Sequence, residues 1–193
     1  MEQFNLLVLS FFLYSLIGQI WEFSLSKVLG GKWYYSGFLH LPIIPLYGVS
    51  AIMMISAASF FQNDPMTIFI FSVIAITFVE YFTSLILEKV FKRTWWDYRE
   101  TSLEIVRKFQ FEGRISLVVS LVWGVLALVV VYIIQPNVAH LANEVFLQFG
   151  FHISLVLLIL LVIDSIISSI RHTHKKKLNM KNLTKGKNEN SRN

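Results

Sequence analysis

Apolar residues fill five long stretches of the chain, and short polar connections separate these stretches. Each stretch is long enough to cross a hydrocarbon core about 30 Å thick, which takes roughly 20 residues of α-helix. The five predicted spans cover approximately residues 4–26, 42–61, 66–87, 115–134 and 146–170. We therefore predict an all-α, polytopic transmembrane helical bundle over residues 1–171. Residues 172–193 are basic and polar, and this composition predicts a disordered tail.

Proline and asparagine mark the ends of several spans. Pro42 and Pro45 lie at the start of the second span, and proline disfavours helix in the residue before it. Two structures remain open there. The backbone over residues 37–48 could be irregular, which at membrane depth requires cover by protein or a watery cavity, or a plain helix could start with proline in its first turn. The sequence Gln135-Pro136-Asn137 is expected to end the fourth span.

Basic residues occur in alternate connections. Of the 17 Lys and Arg residues, two fall after the first span, seven between the third and fourth spans, and eight after the fifth. Because basic residues favour the cytoplasmic side, five spans place the N-terminus outside and the C-terminal tail inside. The first span has neither the positive n-region nor the cleavage site of a secretory signal, so we expect it to be a permanent helix.

The composition supports a membrane protein and limits its chemistry. Hydrophobic residues make up 55% of the chain and charged residues 15%, and the mean hydropathy is +0.60. The net charge of +5 could suggest a nucleic-acid partner, but the basic residues lie between and after the spans. We therefore expect membrane lipids, and no nucleic acid, as partners. Cysteine is absent, which excludes disulfides and Cys-based metal or redox sites.

Acidic residues occur within the apolar stretches, where a carboxylate costs at least about 2.5 kcal/mol and usually faces a partner or a cavity. Glu22, Glu80 and Asp164 each come late in a span that runs inward, so they share a depth near the cytoplasmic side. Glu88 lies at the interface on that side. Arg114 enters the fourth span there and is the natural counter-ion. Asp164 has serines beside it and is expected to make interhelical hydrogen bonds.

These residues predict a polar cluster of Glu22, Glu80 and Arg114, with Asp97 and His40 at its rim. Two interpretations remain open. The cluster could be a substrate or ion site that opens to the cytoplasm, or it could be a structural salt bridge that fixes the register of the helices.

Two further sets of residues have predicted structural roles. A stripe of small side chains in the fourth span recurs every four residues and favours close helix packing. It consists of Ser116, Ser120 and Gly124. The aromatic residues of the preceding connection are expected to anchor it at the membrane interface. They are Trp95, Trp96 and Tyr98.

Motifs for catalysis and metal binding are absent from the sequence. It contains no GxxxxGK[ST] phosphate loop, no HExxH and no GxSxG, so we expect neither an enzyme nor a chain with its own ATPase activity. We expect no cofactor and no metal. His172 and His174 could bind a metal, but solvated tail histidines are the simpler interpretation.

Several pieces of the chain together resemble a known family. They are Gly18 with Trp21-Glu22, GFLHLPIIPLYG at 37–48, EYFTSLILEKVF at 80–91, WWDY at 95–98 and GRISLVVSLVWG at 113–124. In order and spacing they resemble the small bacterial integral membrane proteins catalogued as putative type IV ABC-transporter permeases, formerly a domain of unknown function. The chain departs from the family pattern at Gln19, Leu41, Ser84 and Gln110 and has a longer loop after WWDY.

The resemblance implies a permease-like subunit of a transport system in the bacterial inner membrane. Such a subunit would work with a separate nucleotide-binding ATPase in a homo- or hetero-oligomer. One alternative is a non-transporting membrane scaffold or assembly factor for envelope processes. Another is a membrane-embedded enzyme that uses Glu22, Glu80 and Arg114 on a lipid-linked substrate.

Overall fold

The computed structural model describes residues 2–28 and 37–190, and these residues form a helical bundle with one small hairpin. The helices are α1 (Glu2–Val28), α2 (Pro45–Phe60), α3 (Pro65–Phe91), α4 (Glu104–Lys108), α5 (Leu117–Val129), α6 (Gln135–Phe149) and α7 (Phe151–Asn190). The antiparallel hairpin strands are β1 (Gln110–Phe111) and β2 (Ile115–Ser116). A π-helical turn (Val130–Ile134) joins α5 to α6.

Four helical stretches in the described part of the chain are long and apolar enough to cross a membrane. They are Gln3–Lys27, Pro65–Phe91, Leu117–Phe149 and Phe151–His174. The apolar helix α2 is shorter, with 16 residues, which corresponds to about 24 Å of helix. The fold is therefore a helical membrane bundle, with α2 as its short member.

The chain before α2 combines the two possibilities that the sequence left open. Residues 37–44 are not helical, and Pro45 then begins α2 in its first turn. The Ile44 N–H donates to the Ser15 carbonyl of α1 at 3.0 Å. This bond ties the start of α2 to the middle of α1, and the two helices pack side by side.

Helices α3 and α5 form the centre of the bundle. A Cβ added at Gly124 of α5 would lie 2.6 Å from the Phe69 ring of α3. One turn before Gly124 on α5, the Ser120 hydroxyl accepts a hydrogen bond from Thr77 Oγ1 of α3 at 2.7 Å. The apolar core here includes Ile68, Ile76, Met54, Trp123 and Ala127. Ser116 lies in β2 instead, where its hydroxyl donates to the Val106 carbonyl at 2.9 Å and holds α4 in place.

The helix that begins with α5 continues past Pro136, so the expected end at Gln135–Asn137 is wrong. The π-helical turn explains the continuity, because the Gln135 N–H bonds five residues back to the Val130 carbonyl. That wider turn lies just before Pro136, which is in the first turn of α6. Proline has no backbone N–H to donate, and at this position the helix does not require one. The helix ends instead at Gly150, whose φ of 64° and ψ of −156° are accessible mainly to glycine.

The last helix extends well beyond the apolar residues. Helix α7 includes residues 172–190, for which the composition predicts a disordered tail. The start of this stretch is anchored, since His172 is only 6% exposed and its ring stacks on Phe38 at 5.1 Å. His172 is thus a buried packing residue and not a solvated tail histidine.

Candidate functional site

The connection between α3 and α5 folds back onto the helices. The Trp96 indole N–H donates to the Arg114 carbonyl at 2.9 Å, and the Tyr98 N–H donates to the Gly113 carbonyl at 2.8 Å. These bonds attach the WWDY segment to the β1–β2 hairpin. They also direct the Tyr98 side chain towards α3.

Glu80 is the most deeply buried acidic side chain of the described residues, at 2% exposure. One carboxylate oxygen accepts the Tyr98 O–H at 2.6 Å, and the other is buried with no hydrogen-bond partner among the described residues. Burial, followed by the adjacent Glu80 charge, raises the pKa of the Tyr98 hydroxyl. Tyr98 therefore stays protonated and acts as a neutral donor to Glu80.

Glu22 has a matching tyrosine partner. The Tyr47 O–H of α2 donates to Glu22 Oε1 of α1 at 2.5 Å. Gly18, one helical turn before Glu22, makes this possible, because a Cβ there would lie 2.2 Å from the Tyr47 ring. The Tyr47 ring packs on Trp123 at 5.2 Å. The two carboxylate–tyrosine pairs are close enough for Glu22 and Glu80 to repel each other.

Arg114 does not pair with Glu80 in the structure. Its guanidinium lies 2.5 Å from Glu88 and 3.3 Å from Glu112, and Nη1 donates to Ser84 at 3.2 Å. Ser84 and Glu88 follow Glu80 at intervals of one helical turn. Arg114 therefore contacts α3 nearer to its C-terminal end than the position of Glu80. The predicted cluster is thus divided into an inner carboxylate–tyrosine group and an Arg114 ion-pair group.

Asp97 belongs to the outer part of this region. It pairs with Arg99, whose Nε donates to Asp97 Oδ1 at 2.8 Å. These hydrogen bonds lower the pKa of the Asp97 carboxyl. A polar cavity of about 320 Å³ opens beside it. The charged residues that line it are Glu88, Asp97, Glu112, Arg99 and Arg114.

His40 lies in a different polar group, formed with α7. Asp164 accepts the backbone N–H groups of His40 and Leu41 at 2.9 Å each, and His40 Nδ1 lies 2.9 Å from both Asp164 Oδ1 and Ser168 Oγ. The Phe38 carbonyl is 3.1 Å from His172 Nε2. Side chains of α7 therefore satisfy the non-helical backbone of residues 38–41, which cannot bond within a helix.

The aromatic residues of the connection differ in their contacts. Trp95 packs against Phe38, Phe91 and His172, with ring centroids 5.2–5.8 Å apart. Tyr98 and Trp96 make the hydrogen bonds described above.

The roles of Tyr47 and Tyr98 as partners of acids were not predicted. The sequence offered one indication of these roles, because a buried carboxylate requires hydrogen-bond donors and tyrosines occur at the depth of Glu22 and Glu80.

These features define the chain as a multi-pass helical membrane protein with polar side chains grouped at one end of its bundle. Comparison with known proteins identifies its family. Residues 9–169 match the family described as "Putative ABC-transporter type IV", and the chain belongs to that family. No curated protein and no solved structure matches the chain.

Proposed function

We propose that this chain is the membrane-embedded, permease-like subunit of a transport system in a bacterial inner membrane and that it works with a separate ATPase. Membership of the ABC-transporter family is the observation that carries the proposal. The sequence has no phosphate-binding loop, so hydrolysis of ATP would require a second protein.

The proposed topology has five crossings, with the N-terminus outside. Contacts at the two ends of the bundle support α2 as a crossing. At one end Phe38, Phe91 and His172 pack together, and at the other the Tyr132 O–H donates to the Asn63 carbonyl at 2.6 Å. The chain passes from the first end to the second between Phe38 and Asn63. The non-helical residues before α2 would add the length that its 16 residues lack.

The proposed docking site for the ATPase is the connection that contains α4. The part of this connection between α3 and β1 carries five of the seven basic residues between the third and fourth predicted spans, which favours the cytoplasmic side. Hydrogen bonds to the hairpin hold it in place. Ile105, on α4, is 59% exposed and lies next to the basic residues Arg107 and Lys108. An exposed apolar residue on a held basic surface suits a protein partner.

Affinity purification from native membranes tests this proposal. The wild-type chain is expected to bring down a nucleotide-binding subunit, and Ile105→Glu is expected to lose it. Leu147→Glu is the matched control, since Leu147 is also an exposed apolar residue but lies on α6. A stable partner with no ATPase among the recovered proteins would contradict the transport proposal.

A non-transporting scaffold or assembly factor is the second candidate. The observation that favours it is the mutual pairing of Arg114 with Glu88 and Glu112, which makes these charges a brace between α3 and the hairpin. A scaffold predicts a stable partner without ATP-dependent flux in reconstituted vesicles.

A further inference from the structure

The embedded carboxylates of the bundle differ in how their charge is compensated. Asp164 accepts two backbone N–H groups and lies 2.9 Å from the His40 ring. Glu88 forms an ion pair with Arg114. By contrast, neither Glu22 nor Glu80 pairs with a Lys, Arg or His side chain among those that the structure describes, in residues 3–27 and 37–174. These two acids are the exceptions.

Among the side chains that the structure describes, the groups that act on Glu80 are neutral or negative. The connection contributes the Tyr98 hydroxyl, α5 contributes the indole of Trp123, and α1 contributes the carboxylate of Glu22. Helix α2 adds the Tyr47 hydroxyl, which donates to Glu22. The guanidinium of Arg114 is bonded to Ser84 and Glu88, which lie one and two turns further along α3 than Glu80.

Unsatisfied polar atoms also occur at this place. Glu80 Oε2 is a buried acceptor and the indole N–H of Trp123 is a buried donor. Neither has a hydrogen-bond partner within the described residues. Trp123 is 6% exposed, and its indole interacts electrostatically with Glu80. Hydroxyl and indole donors reduce the cost of an anion in this environment, but they do not remove its charge.

A route to the two acids starts at the polar cavity beside Arg114. Three carboxylates and two guanidinium groups line this cavity, so acidic groups outnumber basic groups in its lining. Tyr98 follows Asp97 of the cavity wall and its hydroxyl contacts Glu80. Ser84, which lines the cavity, is one helical turn from Glu80 on the same buried face of α3. Ser84 on α3 and the Asp97–Tyr98 pair in the connection therefore link the cavity lining to Glu80.

We propose that Glu80 and Glu22, with the hydroxyls of Tyr98 and Tyr47, form a membrane-embedded binding site for one monovalent cation, either a proton or an alkali-metal ion. Glu80 Oε2 is the acceptor that the site offers to the cation, and Tyr98 donates to the other oxygen, Oε1. One bound positive charge offsets one of two neighbouring carboxylates for which the described side chains provide no counter-ion. The tyrosine donors stabilise the vacant site, so the cation can leave again. The proposal holds with or without an ATPase partner.

Thermal unfolding of the full-length protein in detergent tests the site. Tm is measured at constant ionic strength with Na+, K+ or choline, each at pH 5.5 and pH 8. The variants are Glu80→Gln, which keeps the shape and removes the charge, and Glu144→Gln, a matched control at an exposed residue of α6. A cation present at about 100 times its dissociation constant should raise Tm by roughly 5–10 °C.

The wild-type protein and Glu144→Gln are expected to show this increase, and Glu80→Gln is expected to lose it. If Na+ or K+ raises Tm relative to choline at pH 8, the occupant is the metal ion. If the lower pH alone raises it, the occupant is the proton. Equal responses of the wild-type protein and Glu80→Gln would overturn the proposal.

A second variant covers the case in which Glu80→Gln does not fold. Tyr98→Phe keeps the ring and removes the donor that stabilises the vacant carboxylate. When Tm is titrated against cation concentration or pH, this variant is expected to show a midpoint at lower cation concentration or higher pH than the wild-type protein. An unchanged midpoint in Tyr98→Phe would contradict the proposed role of this hydroxyl and, with it, the site.

Discussion

Single atoms decide the geometry of the carboxylate–tyrosine group. Tyr47 can reach Glu22 because Gly18 has no side chain, and Tyr98 can reach Glu80 because its backbone is bonded to Gly113. Each acid thus depends on a tyrosine from another element. At this scale, the structure is most sensitive where a small residue lets a large one approach.

Adding a side chain at Gly18 should displace Tyr47. A Cβ at this position would lie 2.2 Å from Tyr47 Cγ, so Gly18→Val is expected to lower the free energy of unfolding by about 1–3 kcal/mol through overpacking. Denaturant or thermal unfolding in detergent measures the loss. Ser24→Val is the control, because Ser24 is an exposed residue of the same helix. An equal effect of both substitutions would contradict the close contact of Gly18 with Tyr47.

At the scale of elements, side chains from α7 support the non-helical segment before α2. Asp164 accepts the N–H groups of His40 and Leu41, and the segment then continues into Pro45 and α2. A carboxylate in the middle of an apolar helix is therefore explained by the backbone that it satisfies. Helix α7 and the start of α2 should lose stability together when this contact is removed.

Removal of the Asp164 carboxylate should be costly. Asp164→Ala leaves two backbone donors without their acceptor, and we expect it to lower the free energy of unfolding by about 2–5 kcal/mol. Asp164→Asn keeps one acceptor oxygen and should cost less. Ser165→Ala, which removes a hydroxyl bonded only within α7, is the control for both. If Asp164→Ala unfolds no more easily than Ser165→Ala, Asp164 does not support this segment.

The sequence predicts elements more reliably than it predicts their contacts, for physical reasons that particular residues illustrate. Hydropathy identifies the apolar stretches because burial in lipid depends on local composition. It does not show that a π-helical turn carries the chain past Pro136. Depth alone suggested that Arg114 pairs with Glu80, but the hairpin places its guanidinium at Glu88. Partners within a connection depend on its turns, which hydropathy does not encode.

At the scale of the whole molecule, the two ends of the bundle have different chemistry. One end contains Arg114, Asp97, Asp164 and the aromatic contacts of Phe38. The other contains the turn at Asn63, near which Tyr132 lies. In the proposed five-span topology, the charged end faces the cytoplasm, and the cavity beside Arg114 opens on the side of the proposed docking site for the ATPase.

Cysteine accessibility tests this arrangement most directly, because the chain has no cysteine of its own. Single cysteines are placed at Asn63 and Thr101, and intact cells are treated with a membrane-impermeant thiol reagent. We predict that Asn63→Cys reacts in intact cells and that Thr101→Cys reacts only after the cells are opened. Labelling of Thr101→Cys, but not Asn63→Cys, in intact cells would contradict the proposed orientation and the cytoplasmic access to Glu80.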